Sequence, residues 1–238
     1  LVGLHVGSVR GAAARQVVRT QLARAASTFP RGVLSEERLR QISPNAAALR
    51  LPDSVFALAP SASRSQDEPQ NGKLLLVVSA PLVPHLHHVR AMVDELVASG
   101  RIDHVSVAVQ VTDVDSDRPA VQQLIASLDR DVDIVDEDLS APDLIERYAH
   151  FDVVISSRLH AAVFGLLGGV PSFPIDVSDD AKAVDVFGEV GLGDFVLRPE
   201  QAAQWAAHVA ELSDGDARTR VIRSVDRAYD RYSEVRLG

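Results

Sequence analysis

The stretch DVVISSRLH at residues 152–160 joins a short apolar segment to a polar end. Residues 153–155 are apolar without interruption, which is typical of a strand that is buried on both faces. Residues 161–167, AAVFGLL, predict a closely packed helix that ends at Gly168 and Gly169. A second apolar run at 170–175 then closes on an aspartate. The predicted order is therefore strand, helix, strand, with polar residues between the first strand and the helix.

These polar residues predict an anion site. Ligands of open parallel sheets bind at the carboxyl ends of the strands, and a helix N-terminus there offers unpaired N–H groups and a partial positive charge. Arg158 adds a planar guanidinium that suits phosphate or carboxylate, and His160 adds a titratable group. Two structural alternatives stay open. Arg158 could form an ion pair with Asp152 or Asp176, and His160 could be a buried histidine that is hydrogen-bonded at the helix start.

Strands and helices alternate from residue 73 onward, which predicts an α/β fold with a parallel sheet and helices on both of its faces. The predicted strands cover residues 74–78, 105–111, 132–135, 153–155, 170–175 and 195–197. The predicted helices cover residues 85–99, 118–128, 141–148, 161–167, 181–190, 200–212 and 216–232.

The residues before this region predict a smaller set of elements. Strands are expected at 1–6, 27–30 and 46–51, with one helix at 12–26 and another that Ser35 caps and that runs to residue 42. A segment rich in Ser, Pro, Asn and Gln at 59–72 predicts a linker. We therefore expect residues 1–60 to be part of an N-terminal Rossmann-like domain, 61–72 a linker, and 73–238 a C-terminal Rossmann-like domain. With about sixty residues, the first domain is expected to be incomplete.

Composition narrows the class of protein. Of the 238 residues 46% are hydrophobic, so a core is available, and the formal net charge of −9 argues against a nucleic-acid partner. The absence of cysteine excludes disulfides and thiolate metal sites. No apolar run approaches the roughly 20 residues of a membrane span, and no signal-peptide pattern is present. We expect a cytoplasmic protein that can associate with the inner face of the membrane, and the sequence leaves oligomerisation open.

Lys182 and a cluster of three histidines are further candidates for ligand binding. Lys182 falls in the first turn of a predicted helix, where a positive charge opposes the helix dipole. That cost makes sense if the lysine faces an anionic ligand, although a solvated lysine is the alternative. The spacing of His85, His87 and His88 could suggest a metal site, but no carboxylate at motif spacing accompanies them, so we expect no metal there.

Several motifs resemble those of the polysaccharide pyruvyl transferase family. They are Ser157-Arg158-Leu159-His160-Ala161 after an apolar strand, Gly169-Val170-Pro171, and Lys182 ahead of a helix. Residues 31–35, RGVLS, are similar to the family's Arg-Asp-x-x-Ser segment, with glycine in place of the acid. Residues 52–56, PDSVF, are similar to its Pro-Asp-x-x-Phe turn.

The resemblance implies a two-domain, GT-B-like architecture and transfer of the pyruvyl group of phosphoenolpyruvate to sugar hydroxyls as a ketal, with release of phosphate. The implied acceptor is a saccharide or lipid-linked saccharide of a cell-surface polysaccharide or exopolysaccharide, and no metal or organic cofactor is required. Arg158 and His160 are the implied catalytic residues. The implied phosphoenolpyruvate contacts are Arg31, Arg158, Leu159, His160 and Lys182.

Two alternatives belong to other classes. One is a nucleotide-sugar glycosyltransferase or epimerase of the same fold, in which Arg158 would bind a diphosphate. The other is a non-catalytic relative that takes part in polysaccharide assembly, which Gly32 and the short N-terminal region favour slightly.

Overall fold

The computed structural model describes residues 11–25, 27–61, 72–112, 116–136 and 139–236. The predicted strand at 1–6 lies outside the described residues, as does most of the predicted linker, at 62–71. The described part of the chain contains no helix that combines the length and the apolar character required to cross a bilayer.

The described residues form a five-stranded parallel sheet. Its strands are β1 (Lys73–Val77), β2 (His104–Val109), β3 (Asp133–Asp136), β4 (Val153–Ser156) and β5 (Ser172–Pro174). The spatial order is β3-β2-β1-β4-β5. The chain therefore builds the sheet outward from β1 to β3, and then returns to pair β4 with the other side of β1. In doubly wound α/β sheets, the crevice that binds ligands lies where the winding direction reverses, which here is between β1 and β4.

The apolar runs form strands because both faces of the sheet are covered. Leu74, Leu75 and Leu76 of β1 have no exposed surface at all, although their side chains alternate between the two faces. Residues 153–155 of β4 are buried in the same way. This confirms the expected α/β fold with a parallel, doubly covered sheet.

The α-helices agree with the prediction to within a few residues at their ends. They are α1 (Ala12–Arg24), α2 (Val33–Ile42), α3 (Leu86–Ala98), α4 (Arg118–Ser127), α5 (Ala141–Tyr148), α6 (Leu159–Leu167), α7 (Lys182–Glu189), α8 (Trp205–Ser213) and α9 (Ala217–Arg236). Short 3₁₀ segments lie at Ser54–Ser61, Ala80–His85, Gly193–Phe195 and Pro199–Gln204.

Several predicted elements were wrong in kind or in extent. The predicted strand at 195–197 is replaced by the 3₁₀ segment Gly193–Phe195 and a single parallel bridge between Ile175 and Leu197. The predicted strands at 27–30 and 46–51 are not continuous strands among the described residues, where a parallel bridge joins Thr28 to Ala48. The predicted helix at 200–212 begins as a 3₁₀ segment and becomes α-helical only at α8. Short apolar runs do not by themselves determine whether a partner strand extends alongside them.

Residues 28–59 are held against the C-terminal half of the chain. Phe56 is fully buried and belongs to the main hydrophobic core, while Leu22, Leu39 and Ile42 form a small separate cluster. The last helix, α9, reaches back to this region, because the Tyr232 hydroxyl donates a 2.5 Å hydrogen bond to the carbonyl of Pro52. These contacts bring the N-terminal motifs next to α6 and α7.

Candidate active site

A cavity of about 300 Å³ opens at the carboxyl ends of β1, β4 and β5, beside the reversal point of the sheet. Its lining comes from the residues that follow each strand and from the first residues of α6 and α7. The lining residues include Ser79, Ser157, Arg158, Leu159, Asp176 and Lys182. The polar end of the 152–160 stretch therefore lies where a ligand of this fold class binds.

Two serines determine the path of the chain between β4 and α6. Ser156 Oγ accepts a 2.9 Å hydrogen bond from the amide of Arg158 and donates a 2.8 Å bond to its carbonyl. Ser157 Oγ accepts a 2.9 Å bond from the amide of Ser79 and lies 2.7 Å from the Ser79 hydroxyl. The ends of β1 and β4 are thus tied together, which fixes the start of α6 at the edge of the cavity.

The guanidinium of Arg158 is held by Asp117, which is completely buried ahead of α4. Arg158 Nη2 lies 2.6 Å from Oδ1, and Nε lies 3.1 Å from Oδ2, a two-point contact that fixes the plane of the guanidinium. The structural alternative of an ion pair at Arg158 is therefore present, but the partner is Asp117 and neither Asp152 nor Asp176. Asp152 precedes β4, so it lies at the opposite edge of the sheet, where it contacts Arg218 and the amide of Lys73.

His160, the second residue of α6, is not among the residues that line the cavity. Its side chain is 52% exposed, so the alternative of a buried histidine was wrong. Its Nε2 lies 3.9 Å from Oδ1 of Asp53, and Arg31 Nη1 donates a 2.6 Å hydrogen bond to the other carboxylate oxygen. Asp53 and Arg31 are both at least nine-tenths buried. Asp53 therefore joins the guanidinium of Arg31 to the imidazole of His160.

The charges around Asp53 keep it ionised. Burial raises the pKa of its carboxyl group, but the His160 imidazole, the Val55 amide and the Arg31 guanidinium together lower the pKa further than burial raises it. The net pKa lies below the ordinary value for an aspartate. Burial, and then the negative charge of Asp53, raise the pKa of Tyr232, so the hydroxyl of this tyrosine remains a hydrogen-bond donor.

Lys182 is the first residue of α7, and its exposed side chain lines the cavity. Asp176 lies in the same lining, and its Oδ1 accepts hydrogen bonds from the amide and hydroxyl of Ser178, at 3.1 and 2.6 Å. Its Oδ2 is buried and has no hydrogen-bond partner among the described residues. The cavity lining therefore combines an ammonium group with a carboxylate of opposite charge.

Asp185 of α7 caps the N-terminus of α2, a contact that the sequence did not suggest. Its carboxylate accepts hydrogen bonds from the amides of Leu34 and Ser35, at 2.8 and 3.1 Å, and from the Ser35 hydroxyl at 2.6 Å. The predicted cap by Ser35 was wrong, because α2 begins at Val33 and Ser35 is buried in its first turn. A Cβ atom on Gly32 would lie 2.2 Å from Oδ1 of Asp185, so only glycine fits there.

The histidine cluster lies apart from these groups. The rings of His87 and His88 are 3.8 Å apart between centroids, and His85 lies 6.2 Å from His88. Burial and the neighbouring imidazoles lower the pKa of His88. In the regions that the structure describes, no three His, Cys, Asp or Glu side chains are arranged to hold a metal ion.

Sequence reasoning had identified Arg31, Arg158, His160 and Lys182, and had noted Asp53 only as part of a turn motif. It missed the roles of Asp117 and Asp185. Asp117 directly precedes Arg118-Pro119, a pattern that indicates a helix start, but nothing in that pattern indicates an arginine partner 41 residues later.

The fold and the cavity define a GT-B-like α/β protein. Similar solved structures are HepE of Anabaena in complex with UDP and glucose, at 13% identity and a TM-score of 0.57, and a glycosyltransferase of Rickettsia africae, at 12% and 0.57. A third is a UDP-N-acetylglucosamine 2-epimerase, at 15% and 0.54. They match 98%, 94% and 95% of this chain, which spans 70%, 63% and 62% of their lengths. The chain is also similar to the structure of TarM, at 10% identity and a TM-score of 0.52, and spans 45% of its length.

Residues 1–179 match the family model of polysaccharide pyruvyl transferase, and the chain belongs to this family. A comparison with curated proteins gives no significant match.

Proposed function

We propose that this protein transfers the pyruvyl group of phosphoenolpyruvate to two hydroxyls of a polysaccharide sugar, forming a ketal and releasing phosphate. The observation that carries the proposal is the position of residues 157–160 in a chain of this family: they directly follow β4, beside the point where the winding of the sheet reverses. Two cationic groups support it: Lys182 lines the cavity together with Arg158, and Arg31 shares the carboxylate of Asp53 with His160.

The donor that fits these groups carries two anionic ends. Phosphoenolpyruvate has a phosphate and a carboxylate, and each needs local positive charge because the net charge of the chain is −9. The first amides of α6 and the ammonium of Lys182 supply such charge within the cavity. In this proposal the donor extends from the cavity toward His160, where Arg31 supplies further positive charge; the buried Nε of Arg31 has no hydrogen-bond partner among the described residues.

His160 is the proton donor in the proposed mechanism. Its imidazolium protonates the methylene carbon of the donor while a sugar hydroxyl attacks the central carbon, forming a C–O bond. The C–O bond to phosphate then breaks, and a second hydroxyl closes the ketal. Of the two hydroxyl protons, one restores the proton that His160 gave up, and the other leaves with phosphate. No metal or organic cofactor takes part in this scheme.

The acceptor in this proposal is a saccharide or lipid-linked saccharide of a polysaccharide under assembly. Asp176 lines the cavity, and in this proposal its carboxylate contacts a hydroxyl of the acceptor. The donor is a cytoplasmic metabolite, so we propose that the reaction takes place in the cytoplasm or at the inner face of the membrane.

A phosphate-release assay with phosphoenolpyruvate and candidate saccharides tests this function. We expect His160→Ala to lower kcat by about 10²–10⁴, the usual contribution of a positioned acid, in a protein that still folds. His150→Ala is the matched control, because His150 is also exposed but precedes β4 at the opposite edge of the sheet. If the wild-type protein binds a nucleotide sugar and releases no phosphate with any acceptor, a glycosyltransferase or epimerase activity replaces the proposal.

A further inference from the structure

We propose that Asp53 is a positioning residue, which holds Arg31 and stabilises the imidazolium form of His160. The consequence of this role for catalysis rests on the proposed function, whereas the electrostatic coupling of Asp53 to Arg31 and His160 does not. No motif assigns this role, because the sequence pattern marks Asp53 only as part of a turn.

The two oxygens of Asp53 have separate partners. Oδ2 accepts the 2.6 Å hydrogen bond from Arg31 Nη1, while Oδ1 accepts a 3.2 Å bond from the Val55 amide and faces His160 Nε2 at 3.9 Å. The last distance is too long for a hydrogen bond but is a close contact between charges. Because the imidazole is half exposed, a small rotation of its side chain can shorten this contact.

The burial of Asp53 makes the coupling effective. The carboxylate is 3% exposed, and a buried negative charge is costly unless cations compensate it. An opposite charge within about 4–6 Å favours the charged form of a neighbouring group, so the carboxylate favours imidazolium at His160. This form is the one that can protonate carbon.

Charged groups from other elements also face this pair. Arg31 is a second cation and opposes the imidazolium. Tyr232 of α9 stays neutral because burial, and then the charge of Asp53, raise its pKa. Arg231 of α9 is engaged with Glu189 and the carbonyl of Arg50. Without the Asp53 charge, His160 would therefore face the uncompensated guanidinium of Arg31.

This balance predicts the direction of two substitutions. Asp53→Asn removes the charge that favours imidazolium and leaves the one that opposes it, so the titration midpoint of His160 falls. Arg31→Gln removes the opposing charge and leaves the carboxylate, so the midpoint rises. Because His160 is half exposed, we expect shifts of about half a pH unit to one pH unit, below the 1–3 units of closely paired groups.

The experiment follows the ring protons of His160 by NMR between pH 5 and 9, a window of roughly two units around the ordinary histidine pKa, in the wild-type protein and both variants. Asp152→Asn is the control, because Asp152 is a buried acid paired with an arginine at the opposite edge of the sheet, and it should leave the midpoint unchanged. Shifts of opposite sign in the two variants are the expected result. Equal midpoints in wild type, Asp53→Asn and Arg31→Gln would overturn the inference.

The same variants separate this inference from the proposed function. In the phosphate-release assay, kcat should decline with rising pH in both proteins, because imidazolium is the active form. The decline should begin at a lower pH in Asp53→Asn than in the wild type. Opposite NMR shifts in a protein without transferase activity would uphold the coupling and reject the function. Transferase activity with no NMR shift would uphold the proposed function and reject the coupling. If Asp53→Asn does not fold, the midpoint of His160 in Arg31→Gln alone decides: a rise upholds the coupling, and an unchanged or lower midpoint overturns it.

Discussion

The cap of α2 by Asp185 gives the sharpest stability prediction. Asp185→Ala removes a buried carboxylate that accepts three hydrogen bonds, two from amides of Leu34 and Ser35 and one from the Ser35 hydroxyl. Hydrogen bonds to charged groups contribute about 1.5–3 kcal/mol each. The cost of burying the carboxylate offsets part of this sum, and loss of an N-cap typically costs about 0.5–2 kcal/mol. We therefore expect a loss of about 3 kcal/mol in the free energy of unfolding.

Thermal unfolding followed by circular dichroism measures this loss. In a chain of this size each kcal/mol shifts the melting temperature by about 2–4 °C, so Asp185→Ala should melt roughly 6–12 °C lower. Asp179→Ala is the matched control, because Asp179 is an exposed acid in the loop before the same helix, and surface changes of this kind stay within about 0.5 kcal/mol.

Gly32→Ala tests the same contact, because the added Cβ lies against the Asp185 carboxylate. Its Cβ would lie 2.2 Å from Oδ1 and 2.4 Å from Cγ of Asp185, so it must displace the carboxylate. In the double variant, Gly32→Ala with Asp185→Ala, the clash with the carboxylate is gone, although the backbone carbonyl oxygen of residue 185 still lies 2.8 Å from the new Cβ. The double variant should therefore lose roughly 1–3 kcal/mol less than the sum of the two single losses. Simple addition of the two losses, or an Asp185→Ala protein as stable as the control, would refute this account of the cap.

Two further predictions concern the cavity and pH. Lys182→Gln should raise the KM for phosphoenolpyruvate about tenfold, equivalent to roughly 1.4 kcal/mol, and leave the melting temperature unchanged, since the side chain is exposed; an unchanged KM would remove Lys182 from the donor site. Asp53 has a lowered pKa, so its contribution to stability is present above the unfolded value and is lost as the pH falls below about 4. The free energy of unfolding in urea should differ less between pH 3 and pH 7 in Asp53→Asn than in the wild type. Equal differences in the two proteins would contradict this linkage.

The sheet and the start of α6 could be predicted because local sequence determines them. The apolar run at 153–155 is typical of a buried strand, and Ser156 ends that strand by bonding to the backbone of Arg158, two residues further on. The partners of the site residues depend instead on which loops the topology brings together. Asp117 meets Arg158 because β2 and β4 flank β1, so both strands end at one edge of the sheet. No spacing along the chain contains that information.

Gly32 shows how a local departure from a motif can have a distant cause. The related motif has an acid at this position, at the N-cap of α2, where a carboxylate would accept bonds from the first amides of the helix. Here Asp185, about 150 residues away, supplies a carboxylate to the same amides, and it occupies the space that a side chain at position 32 would need. Replacing the acid by glycine therefore leaves the start of α2 capped. Arg31, the residue just before it, keeps its ion pair with Asp53. The glycine is thus no argument for a loss of activity, since the contacts that hold Arg31 beside His160 do not depend on an acid at position 32.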